Sequence, residues 1–339
     1  MKELEYKEII ASIHLCNEQG NLNQEAAGWS RFPVYISNLK GHFLRKKKWN
    51  YWCITNSKCL FSITISDVDY LGLIFVYYLD FETGEYGEDT VVVPFGRNIV
   101  MSEEPGYKAE YNGKNVKVKF TPGENKIQLS ARWKNLQGKT LESEIEIFMP
   151  DKHETLNVVV PWSNTRFQYT SKQNCLPAAG YFKTGDKKFE FSSADSFACL
   201  DFGRGVWPYS IAWNWGSFSA RIGKHMIGFN GGGKWTDGTG ISENAICIDG
   251  KLYKIREPLN WDYDQRNYMQ PWKIKSTLTE SIDLTFTPFF DRVAKVNLLV
   301  LKSAGHQCFG KYSGCISVGG INLKIENVIG WAEEHIARW

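Results

Sequence analysis

Alternation of apolar and polar residues at period two is the feature of this sequence that most restricts its fold. The alternation is clear in Val116–Phe120, Ser143–Phe148 and Ile282–Pro288, and it is typical of strands with one buried face. Longer apolar runs at Cys59–Ser66 and Leu71–Leu79 are rich in the β-branched and aromatic residues that strands prefer. The pattern therefore predicts a mainly β chain.

Short turn motifs separate these runs. Asp249-Gly250 follows AICI and precedes KLYKI, and it predicts a hairpin because a tight turn needs residues with positive φ. Many strands, frequent turns and few helices favour a barrel or a sandwich. One α-helix is predicted over Glu326–Trp339, where Val328, Trp331 and His335 fall near helical spacing.

The length and charge of the chain limit its organisation and its partners. A chain of 339 residues favours two domains, and the best boundary lies in Gln173–Gly180, which predicts β-barrel-like domains at 1–175 and 176–339. With 40 basic and 37 acidic residues, the chain is not expected to bind nucleic acid or an anionic membrane. The basic run Arg45–Lys48 is either a phosphate or nucleic-acid patch or a solvated loop before a strand, and its isolation favours the loop.

The eight cysteines are widely spaced and no signal peptide is evident, which predicts a cytoplasmic protein with reduced thiols. The lengths of the apolar runs predict no membrane span. The spacing of His306, Cys308 and Cys315 fits no common zinc pattern. The glycine motifs at Gly203–Gly205 and Gly228–Lys234 lack the residues that complete nucleotide-binding loops. No metal or cofactor is therefore expected.

Tryptophans are concentrated in one stretch of the chain. Of the 13 tryptophans, four lie between Asp201 and Trp235, among charged and amide residues. Aromatic walls with a few polar groups suit an apolar, cationic or sugar ligand. The alternative is a tryptophan-filled barrel core in which Asp201 and Arg204 form a structural ion pair. The predicted substrate-binding residues are Arg204, Trp207, Tyr209, Trp213, Asn214, Trp215, Asn230, Trp235 and Asn244.

The same stretch supplies candidate acids and bases. Acid–base catalysis needs a carboxyl group whose pKa is tuned by apolar surroundings. Asp201, Asp237 and Glu243 lie in the most aromatic part of the chain and are the predicted catalytic residues, with Arg204 and Asn214 orienting the substrate or the acid. Non-catalytic binding of a small apolar ligand, carbohydrate processing by paired carboxylates and a purely structural role remain alternatives.

Longer motifs give the chain a family resemblance. It resembles the domain of unknown function family 2804 over nearly its whole length, in LDFGRGVWPY (Leu200–Tyr209), WNWGS (Trp213–Ser217), TFTPFFDR (Thr285–Arg292) and GWAEEHIARW (Gly330–Trp339). More distantly it is similar to AttH-like proteins, carotenoid 1,2-hydratases and tocopherol cyclases. That resemblance implies two packed lipocalin-like, calycin-type antiparallel β-barrels and acid-catalysed hydration, cyclisation or isomerisation of a small isoprenoid or lipid-like substrate. It supplies no matched catalytic residues.

Overall fold

The computed structural model describes residues 7–105, 108–298 and 301–338, and these residues form strands with one short 3-10 turn at Gln24–Ala26. Apart from two short parallel strands, the described strands belong to two antiparallel sheets. The parallel pair consists of β1 (Ile13–His14) and β3 (Tyr35–Ile36). Among the described residues, no helix has the length and apolar character needed to cross a bilayer. The cytoplasmic location stays a prediction.

The first sheet has fourteen strands, eleven of which follow the order β7-β6-β5-β4-β16-β14-β12-β11-β10-β9-β8. Of the other three, β13 and β15 pair with β14, and β2 pairs with β13. Its strands are β2 (Gly28–Ser30), β4 (Lys46–Thr55), β5 (Cys59–Asp67), β6 (Leu71–Asp80), β7 (Tyr86–Pro94), β8 (Ile99–Met101), β9 (Ala109–Asn112), β10 (Val116–Gly123), β11 (Lys126–Leu136), β12 (Lys139–Phe148), β13 (Leu156–Ser163), β14 (Arg166–Thr184), β15 (Lys187–Phe191) and β16 (Phe197–Val206).

The second sheet has nine strands in the order β20-β19-β18-β17-β25-β24-β23-β22-β21. Its strands are β17 (Ser210–Ile222), β18 (His225–Gly233), β19 (Asn244–Ile248), β20 (Lys251–Ile255), β21 (Leu259–Asp262), β22 (Trp272–Ser276), β23 (Ile282–Leu298), β24 (Leu301–Val318) and β25 (Ile321–Arg338). The predicted hairpin at Asp249-Gly250 joins β19 to β20, and Asp249 has the positive φ of 50° that the turn requires.

Each sheet curls around its own apolar core, as a double lipocalin-like fold requires. Trp52, Phe61 and Phe120 are fully buried in the first core, and Trp272 and Phe286 are fully buried in the second. The period-two prediction of a mainly β fold with two barrel-like sheets is therefore confirmed. The predicted boundary at residue 175 falls inside β14, whereas residues 207–209 connect the two sheets. The division into domains stays a prediction.

The predicted C-terminal helix is wrong. The chain from Glu326 onward belongs to β25, which pairs with β17 on one side and β24 on the other. Two neighbouring strands satisfy its backbone groups, and successive side chains alternate between faces: Trp331 and Glu333 face the first sheet, whereas Ala332 packs in the second core. The near-helical spacing of the aromatic residues was coincidental. Trp339, the last residue of the predicted helix, lies outside the described residues.

The strands that lie between the two barrels send alternate side chains to opposite sides, and this creates an inter-sheet layer. On β4, Trp52 and Ile54 enter the first core, whereas Tyr51 and Cys53 face the second sheet. On β17 of the second sheet, Trp215 contacts Tyr51 across this layer. The polar and aromatic residues of this layer therefore form an interface inside the molecule.

Replacing Gly180 by alanine is expected to lower the free energy of unfolding by about 3 kcal/mol. Gly180 has a φ of 133°, and a Cβ atom there would lie 2.2 Å from the carbonyl oxygen of Glu144 on β12. Gly223→Ala is the matched control, since its φ is 59° but nothing lies within 4 Å, so about 1 kcal/mol is expected. Equal losses in urea denaturation of the two variants would contradict the steric argument.

Candidate functional site

A cavity of about 240 Å³ lies between the two sheets. Strands β4, β5, β6, β14 and β16 of the first sheet line one side, and β17, β23, β24 and β25 of the second line the other. The far end of the inter-sheet layer is closed by a cluster of buried side chains that includes Cys53, Tyr77, Phe309 and Trp331. The cavity is thus a pocket between barrels and does not enter either barrel core.

Tryptophan rings form the wall of this pocket. Trp207 lies edge-on to Trp49, with ring centroids 5.5 Å apart, and edge-on to Trp213 at 6.0 Å. It is also nearly parallel to Trp235 at 6.1 Å. Trp49, Trp207, Trp213 and Trp235 all line the cavity, as does Trp215. The clustered tryptophans therefore contact one another and also present a surface to the cavity.

The indole N–H groups of this wall are donors to polar groups around the cavity. Trp213 Nε1 donates to Glu333 Oε1 over 2.8 Å, and Trp235 Nε1 donates to Glu243 Oε1. Trp207 Nε1 donates to the Gln168 side chain over 2.6 Å. A buried indole usually finds such a partner. Here the partners include two carboxylates, so the wall also fixes the positions of acidic groups.

A buried lysine joins two of the candidate carboxylates. Lys172 Nζ lies 3.0 Å from Asp201 Oδ2, 3.5 Å from Glu243 Oε2 and 4.0 Å from the centroid of the Trp215 ring. Burial lowers the pKa of Lys172, but the two carboxylates outweigh that effect and keep the pKa above its ordinary value. Burial raises the pKa of Glu243, with Lys172 and the Trp235 N–H acting in the opposite direction. Lys172 is therefore the positive centre of this end of the cavity.

Glu333 on β25 is the carboxyl group best suited to hold a proton near neutral pH. Burial raises its pKa to about 7, although the Trp213 N–H and Lys172 favour the ionised form. Its side chain lines the cavity, and one oxygen, Oε1, accepts the Trp213 hydrogen bond. A carboxyl group with this pKa can donate a proton and recover it during one reaction cycle.

His335 packs behind Trp213 and contributes no charge. The two rings stack with centroids 4.3 Å apart and an angle of 5° between their planes. Its Nε2 forms a 2.5 Å hydrogen bond with Ser303 Oγ. Burial and the nearby Arg292 lower the pKa of His335 to about 3. The imidazole is therefore neutral at physiological pH and serves to orient Trp213, which in turn holds Glu333.

A second polar network borders the cavity beside Glu333. Tyr51 and Tyr77 share a 2.8 Å hydrogen bond between their hydroxyl groups, and Tyr77 donates to Gln307 Oε1 over 2.8 Å. The guanidinium of Arg292 lies 4.1 Å from the Tyr77 ring centroid and pairs with Glu88 at 3.0 Å. Burial raises the pKa of both tyrosines. Both are therefore neutral hydrogen-bonding groups at physiological pH.

The structure brings together six of the twelve predicted site residues. The residues that line the cavity are Asp201, Trp207, Trp213, Trp215, Trp235 and Glu243. Asp237 lies exposed in a turn, and Tyr209 is 63% exposed. Asn230 lies behind the residues that line the cavity, where its side chain accepts a hydrogen bond from Trp215 Nε1 and donates one to the Glu243 carbonyl.

The other three predicted residues support the surrounding backbone and side chains. Asn244 accepts from the Gly232 N–H and donates to the Glu257 carbonyl. Asn214 donates to Tyr263 and to a backbone carbonyl on the second-core side of β17. Arg204 is fully buried away from the cavity, where it binds backbone carbonyls and an amide side chain.

Sequence reasoning missed the cavity residues that lie far from the tryptophan-rich stretch. They include Lys172, Glu333, His335, Tyr51 and Gln307. For Glu333 and His335 a signal existed, since a strand interpretation of GWAEEHIARW would have placed Trp331, Glu333 and His335 on one face. Lys172 carried no comparable signal. Among the described residues, no group of three or more His, Cys, Asp or Glu side chains is arranged to hold a metal ion.

The fold and the cavity define a double lipocalin-like protein with a pocket between its barrels. The chain belongs to the family Domain of unknown function (DUF2804), whose sequence profile matches residues 6–339. The family resemblance seen in the motifs is thereby confirmed. No curated protein matches the sequence significantly.

Solved structures that are similar to this chain include that of a hydratase. A crystal structure of kievitone hydratase from Nectria haematococca is similar with a TM-score of 0.55 and 14% identity, over 91% of this chain and 94% of that chain. A structure of CghA with Sch210972 has a TM-score of 0.48 and 10% identity, over 96% and 97%. At 14% identity the likeness to the hydratase establishes a shared fold.

Proposed function

We propose that this protein is an acid–base enzyme, a hydratase, cyclase or isomerase, that acts on a small apolar substrate in the cavity between the barrels. The observation that carries this proposal is the position of Glu333, a carboxyl group with a pKa of about 7, in a cavity walled by tryptophan rings. A non-catalytic binder would need the apolar wall but no convergent carboxyl groups. The fold shared with a hydratase is consistent with the proposal and does not carry it.

The chemistry follows from the order of the groups around the cavity. Glu333 donates its proton to one carbon of a carbon–carbon double bond, and the neighbouring carbon becomes cationic. The faces of the tryptophan rings stabilise this charge. In a hydratase, water adds to the cation and releases a proton to Asp201, whose Oδ2 lies 3.0 Å from Lys172 Nζ. In a cyclase or isomerase, a second double bond or the loss of another proton quenches the cation.

Thr64 is the residue proposed to hold the attacking water. Its side chain lines the cavity on the strand next to Tyr51, its register partner. The hydroxyl is buried and has no hydrogen-bond partner among the described residues. A buried polar group is normally satisfied by protein or ordered water, so a water molecule bound there would lie at the same level of the sheet as Asp201.

Replacing Glu333 by glutamine is expected to slow substrate protonation about 100- to 10,000-fold. Candidate isoprenoid, lipid and sugar ligands are first identified by tryptophan fluorescence, and deuterium incorporation from D₂O into each hit is then followed by mass spectrometry. Asp237→Asn is the matched control, because that carboxylate is exposed outside the cavity. Incorporation that proceeds equally fast in the Glu333 variant would overturn the acid assignment.

The rate of deuterium incorporation in the wild-type protein is expected to depend on pH. Glu333 must be protonated to act as the acid, so the rate is expected to fall as pH rises through about 7. Its folded pKa lies above its ordinary value of 4.5. Its contribution to stability is therefore full below pH 4.5 and is lost as pH rises from there through about 7. A rate that instead rises between pH 6 and 8 would show that an ionised group is the rate-determining partner.

A further inference from the structure

The basic run Arg45–Lys48 does not form a solvated loop, because Lys46 is already the first residue of β4. Lys46 and Lys48 point to one face of the strand, where Lys46 lies 3.2 Å from Asp69 and Lys48 pairs with Glu103. Lys47 points to the other face, is only 2% exposed and lines the cavity. The run therefore places a single ammonium group in the inter-sheet cavity.

Lys47 lies at the opposite end of the cavity from the carboxyl groups. It is on the same face of β4 as Trp49 and Tyr51, and Tyr51 is the register partner of Asp201. Four residues of strand separate Lys47 from Tyr51, which corresponds to about 13 Å. Trp49 and Leu73 line the cavity between these levels. The cavity thus has Lys47 at one end, an apolar middle, and the carboxyl groups together with Lys172 at the other end.

Arg45 adds to the positive charge around Lys47, and Asp69 and Asp67 partly offset it. Burial, and then the charge of Arg45, lower the pKa of Lys47 to about 8, against the opposing effect of Asp69 and Asp67. Burial and the same Arg45 also lower the pKa of Arg166. Arg45 is therefore close enough to Lys47 and to Arg166 to destabilise the charged form of each. A bound anion would relieve this repulsion, and Lys47 is still mainly protonated at pH 7.

We infer that the cavity takes an amphiphilic substrate with a carboxylate head group, which binds Lys47 while the reacting carbons lie beside Glu333. This inference rests on the proposed function and extends it to a substrate class. Lys47 Nζ also donates to the Val68 carbonyl over 3.0 Å, so the head group is a compact monoanion that shares the ammonium group. The apolar chain of the substrate spans the tryptophan-lined middle.

Calorimetric titration with decanoate and with decan-1-ol tests the inference, because the two probes differ in charge and share an apolar chain. Wild type is expected to bind decanoate at least tenfold more tightly than decanol. Lys47→Met is expected to weaken decanoate binding about 10- to 100-fold and to leave decanol binding unchanged. Lys46→Met, which removes a neighbouring charge from the opposite face of the same strand, is expected to change neither affinity.

Three results would overturn the inference. They are equal affinity of wild type for the two probes, unchanged decanoate binding by Lys47→Met, and equal losses of decanoate binding in the Lys46 and Lys47 variants. If Lys47→Met does not fold, Lys47→Arg is expected to fold and to keep the preference for decanoate, and loss of that preference contradicts the inference. The deuterium experiment on Glu333 uses any ligand that binds, whatever its head group, so failure of the head-group inference leaves that result intact. Absence of binding by either probe counts against both proposals.

Discussion

Replacing Lys172 by methionine is expected to lower the free energy of unfolding by about 3–5 kcal/mol. The substitution keeps most of the side-chain volume but leaves Asp201 and Glu243 without the cation that lies 3.0 Å and 3.5 Å from them. Glu243 is only 2% exposed, and a buried carboxylate that loses its partner keeps the cost of desolvation without the compensating attraction. Urea denaturation at pH 8 measures the loss.

The sign of the pH dependence follows from the same contacts. The carboxylates hold the pKa of Lys172 above its ordinary value of 10.5, so its stabilising contribution is full at neutral pH and is lost only as pH rises past that value. In the variant, the uncompensated carboxyl groups gain protons more readily, and the difference from wild type is expected to be smaller at pH 5 than at pH 8.

Two further variants decide whether charge causes the effect. Glu243→Gln in the Lys172→Met background is expected to recover at least 1 kcal/mol, because it removes one unpaired buried charge. Lys188→Met, which breaks an exposed pair with Glu190, is expected to cost less than 1 kcal/mol. A loss below 1 kcal/mol in Lys172→Met itself would contradict the account.

The strands were predictable because their side-chain period is a local property of the sequence. Alternation in Val116–Phe120 and Ser143–Phe148 reports which face is buried, and both segments lie in strands of the first sheet. The last strand was mistaken for a helix because its neighbours on both sides, β17 and β24, come from distant parts of the chain. Tertiary pairing of that kind overrides the local spacing of aromatic residues.

The site could be predicted only in part, because two sheets contribute to it. Asp201 and Trp213 lie close in sequence to the other tryptophans and share the cavity with them. Lys172 and Glu333 reach the same cavity from positions 161 residues apart in the sequence, and only the packing of one sheet on the other brings them together. Whether a polar residue faces the cavity depends on the parity of its position, which distinguishes Asp201 from Arg204 on β16.

Replacing Arg204 by methionine is expected to lower the free energy of unfolding by about 3–5 kcal/mol without changing ligand affinity. Arg204 Nη1 donates to the carbonyls of Trp49 and Gly203 over 3.0 and 2.8 Å. Its Nη2 donates to Asn50 Oδ1 and the Ser102 carbonyl over 2.9 and 2.6 Å. Methionine can still pack over Phe202 but leaves these buried acceptors without donors.

This variant also separates the structural role of Arg204 from the substrate-orienting role that its sequence neighbours suggested. Arg132→Met is the control, since it breaks an arginine–carboxylate pair with Glu142 whose arginine side chain is 65% exposed, and a loss below 1 kcal/mol is expected. Both variants are then titrated with decan-1-ol under conditions where each is folded. Weakened binding by a folded Arg204→Met with wild-type stability would restore the substrate-orienting role. A side chain that only clamps β16 to β4 and to the backbone at Ser102 changes the stability of the pocket wall and not its affinity for a ligand.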